Sequence, residues 1–222
     1  ADTHGAVTTN MLNHYQNLAT AGAGILFVEY TCVHRSGRSE PNQLGIDSDD
    51  QIPAHTELVS IVKKFGGLVG IQLVHGGGKS SSDLTGGKLL GASSITVPTK
   101  ENDLEKPIEM TLEEIDLYKN WYLDAAIRSA KSGYDIIELH SAHGYGLNQW
   151  LSPLTNHRTD QYGGNLVNRS KMLLEIFQKI RAALPNKILG VRVPGEDHFD
   201  GGLTQNDMSF ISQSLQDLGA DF

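Results

Sequence analysis

The feature that most limits what this chain can fold into is an alternation along its length. Stretches with apolar residues at helical spacing are separated by short β-rich runs, each bounded by glycine or polar turns. Successive βα units of this kind build a parallel sheet with helices packed outside it. The pattern predicts helices over Thr8–Thr20, about Ile52–Phe65, Thr111 to Gly133, a stripe through Leu173, Ile176, Phe177, Ile180 and Leu184, and Thr204–Leu218. Between them it predicts strands at Ile25–Thr31, Leu68–His75, Asp135–His140 and Lys187–Val193, with Ala220-Asp221-Phe222 opening a further one. Thr111-Leu112-Glu113-Glu114 is a capping box, in which the Thr111 hydroxyl accepts from the Glu114 amide and the Glu114 carboxylate reaches back. Two long loops remain, Gly76 to about Pro107 and Ser141 to about Asn165, and the first is long enough to be functional or mobile. With no linker, no repeat beyond the βα period and no low-complexity tract, residues 1–222 read as one domain.

Composition narrows the function. The 222 residues are 39% hydrophobic, enough for a sizeable core. Eighteen Lys+Arg stand against 26 Asp+Glu, a formal charge of −8, which repels phosphate backbones and anionic membranes. Nucleic acid is therefore not an expected partner. The most apolar runs, Gly24–Val28 and Leu68–Val74, are strand-length and far short of the roughly 20 residues of a spanning helix. The single cysteine, Cys32, forms no internal disulfide, and no basic segment followed by an apolar run stands at the start, so a reducing, cytoplasmic setting is expected. Cys32 itself reads as a small packed residue.

Alternate residues of a strand share a face. By that rule Gly70, Gln72 and Val74 go together, as do Ile136, Glu138 and His140, and Ile188, Gly190 and Arg192. A polar residue thus stands near the C-terminal end of strand after strand, where parallel α/β proteins build their sites. The pairs Gly70-x-Gln72 and Gly190-x-Arg192 leave room beside a large group; the plainer alternative is a set of internally paired polar residues plugging a barrel mouth. In His140-Ser141-Ala142-His143 two imidazoles converge across a turn, fit either to bind a metal or to donate two hydrogen bonds to one oxygen. A metal would need a third ligand; His75 is the nearest in kind, and no carboxylate lies at ligand spacing. Gly76-Gly77-Gly78-Lys79-Ser80 lacks the leading glycine of a phosphate-binding loop, since position 73 is Leu. Gly22-Ala23-Gly24 and Gly144-Tyr145-Gly146 lack the third glycine of a dinucleotide fingerprint.

From His140-Ser141-Ala142-His143-Gly144-Tyr145 through Asn148-Gln149-Trp150-Leu151-Ser152-Pro153-Leu154-Thr155-Asn156-His157-Arg158-Thr159-Asp160-Gln161-Tyr162-Gly163-Gly164-Asn165 to Asn168-Arg169, the chain resembles the old yellow enzyme family of FMN-dependent oxidoreductases. Gly70-Ile71-Gln72-Leu73-Val74-His75-Gly76-Gly77 and Val191-Arg192-Val193 are similar to that family's third and fifth barrel strands. The resemblance implies a (β/α)8 TIM barrel with FMN across its C-terminal mouth, Gln72 on the flavin pyrimidine edge and Arg192 beside N1 and the C2 carbonyl. It implies that His140 and His143 hold the carbonyl or nitro oxygen of an activated alkene, drawing electron density from the β-carbon. Tyr145 matches a tyrosine near the substrate, as a proton donor to the α-carbon or as a packing or gating residue. His157, Arg158, Asp160, Tyr162 and Arg169 read as loop architecture, with Arg158 and Asp160 pairing locally. Tyr30 departs from the family, standing where many members have a small residue near the flavin, and so do Gly78 and Gly146, where bulkier residues are common.

The expected activity is FMN-dependent NAD(P)H oxidation coupled to reduction of enones or nitroalkenes, with NADH or NADPH as the transient reductant. Alternatives are a flavin reductase for another acceptor, a quinone or an enoyl thioester, and a non-catalytic partial barrel. The expected partner is a small electrophilic alkene, and a homo-oligomer is compatible with the sequence. By analogy with the family the chain opens after the first barrel strand and stops as the sixth begins. It is thus expected to be a partial barrel, about strands 2 to 5, truncated at both ends and binding FMN poorly on its own.

Overall fold

The computed structural model describes residues 1–99 and 104–222. Helices α1 (Thr9–Thr20), α2 (Ile52–Lys63), α3 (Ser82–Thr85), α4 (Leu112–Lys131), α5 (Gly146–Leu151), α6 (Leu166–Ala183) and α7 (Gln205–Asp217) alternate with strands β1 (Ile25–Cys32), β2 (Leu68–Val74), β3 (Leu90–Gly91), β4 (Ile108–Glu109), β5 (Ile136–His140) and β6 (Ile188–Arg192). The main sheet is parallel, in the order β1-β2-β5-β6. It is the expected α/β architecture, a run of barrel strands wrapped by helices.

Local chemistry sets the boundaries. Thr8 accepts from the Met11 amide to start α1, and Pro53 opens α2 where no N–H is needed. At α4 the capping box forms as expected: Thr111 Oγ1 accepts from Glu114 N at 3.2 Å, and Glu114 Oε2 from Thr111 N at 2.8 Å. The α6 helix starts earlier than its apolar stripe because Asn165 caps it through the Asn168 amide. Between helices and sheet lies one core, whose largest buried side chains include Trp150, Tyr118, Tyr122, Tyr134 and Phe177. The final residues do begin a further pairing beside β6: Asp221 N donates to Leu189 O at 2.9 Å and Val191 N to Phe222 O at 3.2 Å.

Both long loops hold structure that periodicity does not reveal. The first contains α3 and a two-residue parallel ribbon, Leu90 beside Ile108 and Gly91 beside Glu109; residues 100–103 lie outside the described ones. The second contains α5. One side chain binds the two together: Arg158 donates to Ala92 O at 3.1 Å and Met110 O at 2.7 Å while pairing with Asp160 at 2.6 Å. The local pair is present, and its guanidinium also anchors the ribbon.

The helix-free face of the sheet carries Ile25, Phe27, Leu68, Ile188 and Phe222, all substantially exposed. The room expected beside Gly70 and Gly190 is taken on this face. A Cβ on Gly70 would meet Phe27 Cδ1 at 2.6 Å, and one on Gly190 would meet Phe222 Cδ1 at 2.6 Å. These glycines therefore admit the chain's own aromatic rings, whose centroids lie 6.1 Å apart, edge to face.

Candidate active site

Strand register brings the expected residues to one rim. Gln72 lies beside Glu138 and Glu138 beside Gly190, while one step nearer the C-terminal ends His140 lies beside Arg192. The sequence places Glu138 on this face without a role; the structure gives it one. The Gln72 side-chain amide donates to Glu138 Oε1, and Arg192 Nε donates to the same oxygen at 3.3 Å. Glu138 is 6% exposed, so its carboxylate depends on these donors to offset desolvation. A buried acid flanked by Gln72 and Arg192 in the period-2 pattern was the signal that could have identified it.

His140 is buried at the end of β5, and His143 is exposed on the turn that follows. His143 adopts φ 59°, a left-handed conformation that Asn, Asp and His tolerate better than most residues. That turn aims its Nδ1 at His140 Nε2, 3.3 Å away. Burial lowers the pKa of both rings, His140 to about 4, with His143, Arg192 and Lys79 adding to the effect at His140. Near pH 7 each ring is thus neutral and carries one N–H. Two nitrogens at this separation can both reach a single oxygen set between them at roughly 2.8–2.9 Å.

Tyr145 lies 5.1 Å from the His140 ring and stacks on Tyr30, centroids 5.7 Å apart and planes 29° apart. The register of β1 against β2 shifts between Val28 and Thr31, and such an irregularity re-aims the side chain at that point. The Tyr30 ring is thereby found against Tyr145. Burial, then the neighbouring Tyr145 and Glu40, raise its phenol pKa. Lys79, set aside in the sequence as part of a phosphate-loop lookalike, lies beside the histidine pair: its Nζ donates to His143 O at 3.0 Å and lies 5.0 Å from the Tyr145 ring centroid.

The loops beneath are closely held. A Cβ on Gly146 would collide with Tyr118 Oη and lie 2.5 Å from His75 O, and Gly146 N donates to that same carbonyl at 2.8 Å. His75 is no third ligand to the histidine pair. Its Nδ1 accepts from Gly77 N at 3.1 Å and its Nε2 meets Ser36 Oγ at 3.1 Å. Among the described residues no three His, Cys, Asp or Glu side chains form a metal-binding group. Cys32 is buried, with its thiol pushed up to about 12 by desolvation. No helix among the described residues is long and apolar enough to cross a membrane.

The donors at the rim suit a flavin ring. Arg192 spends only Nε on Glu138 and is about half exposed, which leaves its terminal nitrogens toward the open mouth without a protein partner among the described residues. Such a fixed cation stabilises negative charge on the N1–C2 edge of a reduced isoalloxazine.

A family model described as the NADH:flavin oxidoreductase / NADH oxidase family matches residues 1–222. An NADPH dehydrogenase of Halalkalibacterium halodurans is 37% identical over 210 residues, 95% of this chain and 60% of the relative. The old yellow enzyme homologue from Zymomonas mobilis superposes with a TM-score of 0.89 at 26% identity, over 99% of this chain and 64% of that one. A 2-naphthoyl-CoA reductase in complex with 2-naphthoyl-CoA superposes with a TM-score of 0.93 at 25% identity, over 98% of this chain and 35% of that one. The chain thus spans about three fifths of the length of the curated relatives it matches. A full-length family match, a shared barrel fold and a histidine pair at the strand ends lead to one assignment: the chain belongs to the NADH:flavin oxidoreductase / NADH oxidase family, that of the old yellow enzymes.

Proposed function

We propose that this chain carries the FMN-binding and acceptor-binding face of an NAD(P)H-dependent ene-reductase. The observation that carries the reading is the 3.3 Å approach of His143 Nδ1 to His140 Nε2, with both rings neutral near pH 7. A carbonyl or nitro oxygen between them accepts two hydrogen bonds, which withdraw electron density from the conjugated β-carbon. FMN held there would supply the redox chemistry, hydride uptake from a reduced nicotinamide and hydride donation to that carbon. Gln72 and Arg192, both donating to Glu138, would hold its pyrimidine edge. We assign to Tyr145, whose ring lies 5.1 Å from that of His140, the proton given to the α-carbon; Tyr30 stacks on its ring and Lys79 Nζ lies over it. A quinone is the second acceptor the same pair of donors fits.

The test is spectroscopic and then catalytic. The holoenzyme is expected to show flavin absorbance, to be bleached by NADPH or NADH without air, and to regain colour on adding an enone. A full-length enzyme containing this chain that is colourless and takes up no FMN would overturn the proposal.

A further inference from the structure

The register shift in β1 has a definite form. Val28 pairs with Ile71 and Thr31 with Leu73, so two residues of β1, Glu29 and Tyr30, stand against the single Gln72. An extra residue of this kind is a β-bulge, which bends its strand and re-aims the side chains at that point. Both bulge residues are tied down. Glu29 O accepts from Thr31 Oγ1 at 2.8 Å, and its carboxylate accepts from Tyr15 Oη on α1. Tyr30 O accepts from the side-chain amide of Gln43 at 3.3 Å, and Gln43 is itself buried. The bulge therefore presents Tyr30 to Tyr145 from a fixed backbone, ring centroids 5.7 Å apart and planes 29° apart.

Three elements close on Tyr145. Tyr30 faces it from β1, Lys79 Nζ lies over its ring from the turn Gly77–Lys79, and the His140 ring lies 5.1 Å away at the end of β5. The two phenols also share a side-chain hydrogen bond, and the charges that act on Tyr30 are those of Tyr145, Glu40 and Glu29. Burial, then these neighbours, raise the Tyr30 phenol pKa, so Tyr30 keeps its proton and remains a donor.

We propose that Tyr30 is a positioning residue for proton transfer: held by the bulge, its hydroxyl stabilises the oxyanion left on Tyr145 when the proton goes to the α-carbon. The inference rests on the ene-reductase reading, in which Tyr145 is that donor. In the step the O–H bond of Tyr145 breaks as a C–H bond forms at the α-carbon. The phenol oxygen keeps the electron pair, and solvent later returns a proton to it. A hydrogen bond donated to an oxyanion is stronger than the same bond donated to a neutral phenol. The gain thus grows as the proton leaves, which is the kind of interaction that lowers a barrier. The Lys79 ammonium acts on the oxyanion in the same sense, and His140, neutral near pH 7, adds no charge.

The test is a double-mutant cycle on the full-length holoenzyme, with Tyr30→Phe, Tyr145→Phe and the two together. Tyr30→Phe keeps the ring and removes only the hydroxyl. Reoxidation of the reduced enzyme by cyclohex-2-enone, followed by stopped flow, should slow about tenfold in Tyr30→Phe, with affinity for a phenol ligand changed less than about twofold. The alkaline limb of that rate should move up by about one pH unit, because the lost donor favoured the deprotonated oxygen. In the Tyr145→Phe background the same substitution should alter the rate less than about twofold. Lys79 also titrates on the alkaline side, its pKa lowered by burial, but it is present in all four proteins and drops out of the comparison. Equal slowing in both backgrounds, or slowing with an unmoved limb, would overturn the role. Enone reduction slowed by Tyr145→Phe and untouched by Tyr30→Phe would sink the role of Tyr30 alone, whereas an unaltered enzyme that reduces no enone would sink the ene-reductase reading.

Discussion

Gln72 on β2 and Arg192 on β6 donate to the same atom, Oε1 of the buried Glu138 on the strand between them. One carboxylate therefore sets the positions of two groups assigned to the flavin edge. Glu138→Ala is expected to weaken FMN affinity roughly tenfold, about 1.4 kcal/mol, because both donors lose their common acceptor. Fluorescence titration with FMN measures it, and an unchanged Kd in a folded variant would contradict the positioning role.

The histidine pair makes a complementary prediction. His140→Ala and His143→Ala should each weaken binding of a phenol or enone about tenfold, while FMN remains bound. Ligand titrations indistinguishable from the unaltered enzyme in both variants would remove the oxygen-binding assignment.

For Tyr145 the discriminating change is Tyr145→Phe. As proton donor, its loss should lower the oxidative half-reaction by about a hundredfold or more, with ligand affinity nearly constant. Stopped-flow reoxidation by an enone reads this directly. A rate within a factor of about two would make Tyr145 a packing residue only.

His75 predicts an acid sensitivity. Full burial, then the nearby His34, hold its pKa down to about 3, against 6.5 for an unperturbed ring. The unfolded chain therefore takes up a proton below pH 6.5 that the folded chain refuses, and stability falls as pH drops from there toward 3. By pH 4 the loss from this residue alone is about 3 kcal/mol. Urea unfolding of the chain and of His75→Gln against pH isolates the contribution; parallel curves would refute it.

Gly146→Ala tests the closeness of the loops. Its methyl would press on Tyr118 Oη and His75 O, two buried groups of neighbouring elements. A destabilisation of about 1–3 kcal/mol is expected, seen as a lowered Tm. A Tm unchanged within error would mean that the loops can yield.

How much of this was legible follows from the length over which each signal acts. The main helices and the strands of the sheet showed because their periodicity runs through several residues, and the rim residues Gln72, His140 and Arg192 showed because strand alternation fixes their face. The ribbon of Leu90-Gly91 with Ile108-Glu109 was invisible, since two residues carry no period and Arg158, nearly fifty positions beyond Met110, anchors it. The room read beside Gly70 and Gly190 holds rings the alternation could not name, since Phe27 and Phe222 come from neighbouring segments. Tyr30 could be placed only once the register shift in β1 was known.

The left-handed backbone at His143 has a consequence for which side chains position 143 admits. The turn favours residues that accept positive φ, and the oxygen-binding role proposed for the pair needs a neutral donor short enough to meet His140 Nε2. Few side chains satisfy both demands, and beside histidine the one that does is asparagine. Glutamine can donate but is poorly suited to that backbone; glycine suits the backbone and cannot donate. The local shape of the chain thus acts as a filter on its own chemistry, reducing the vocabulary of the position to two words.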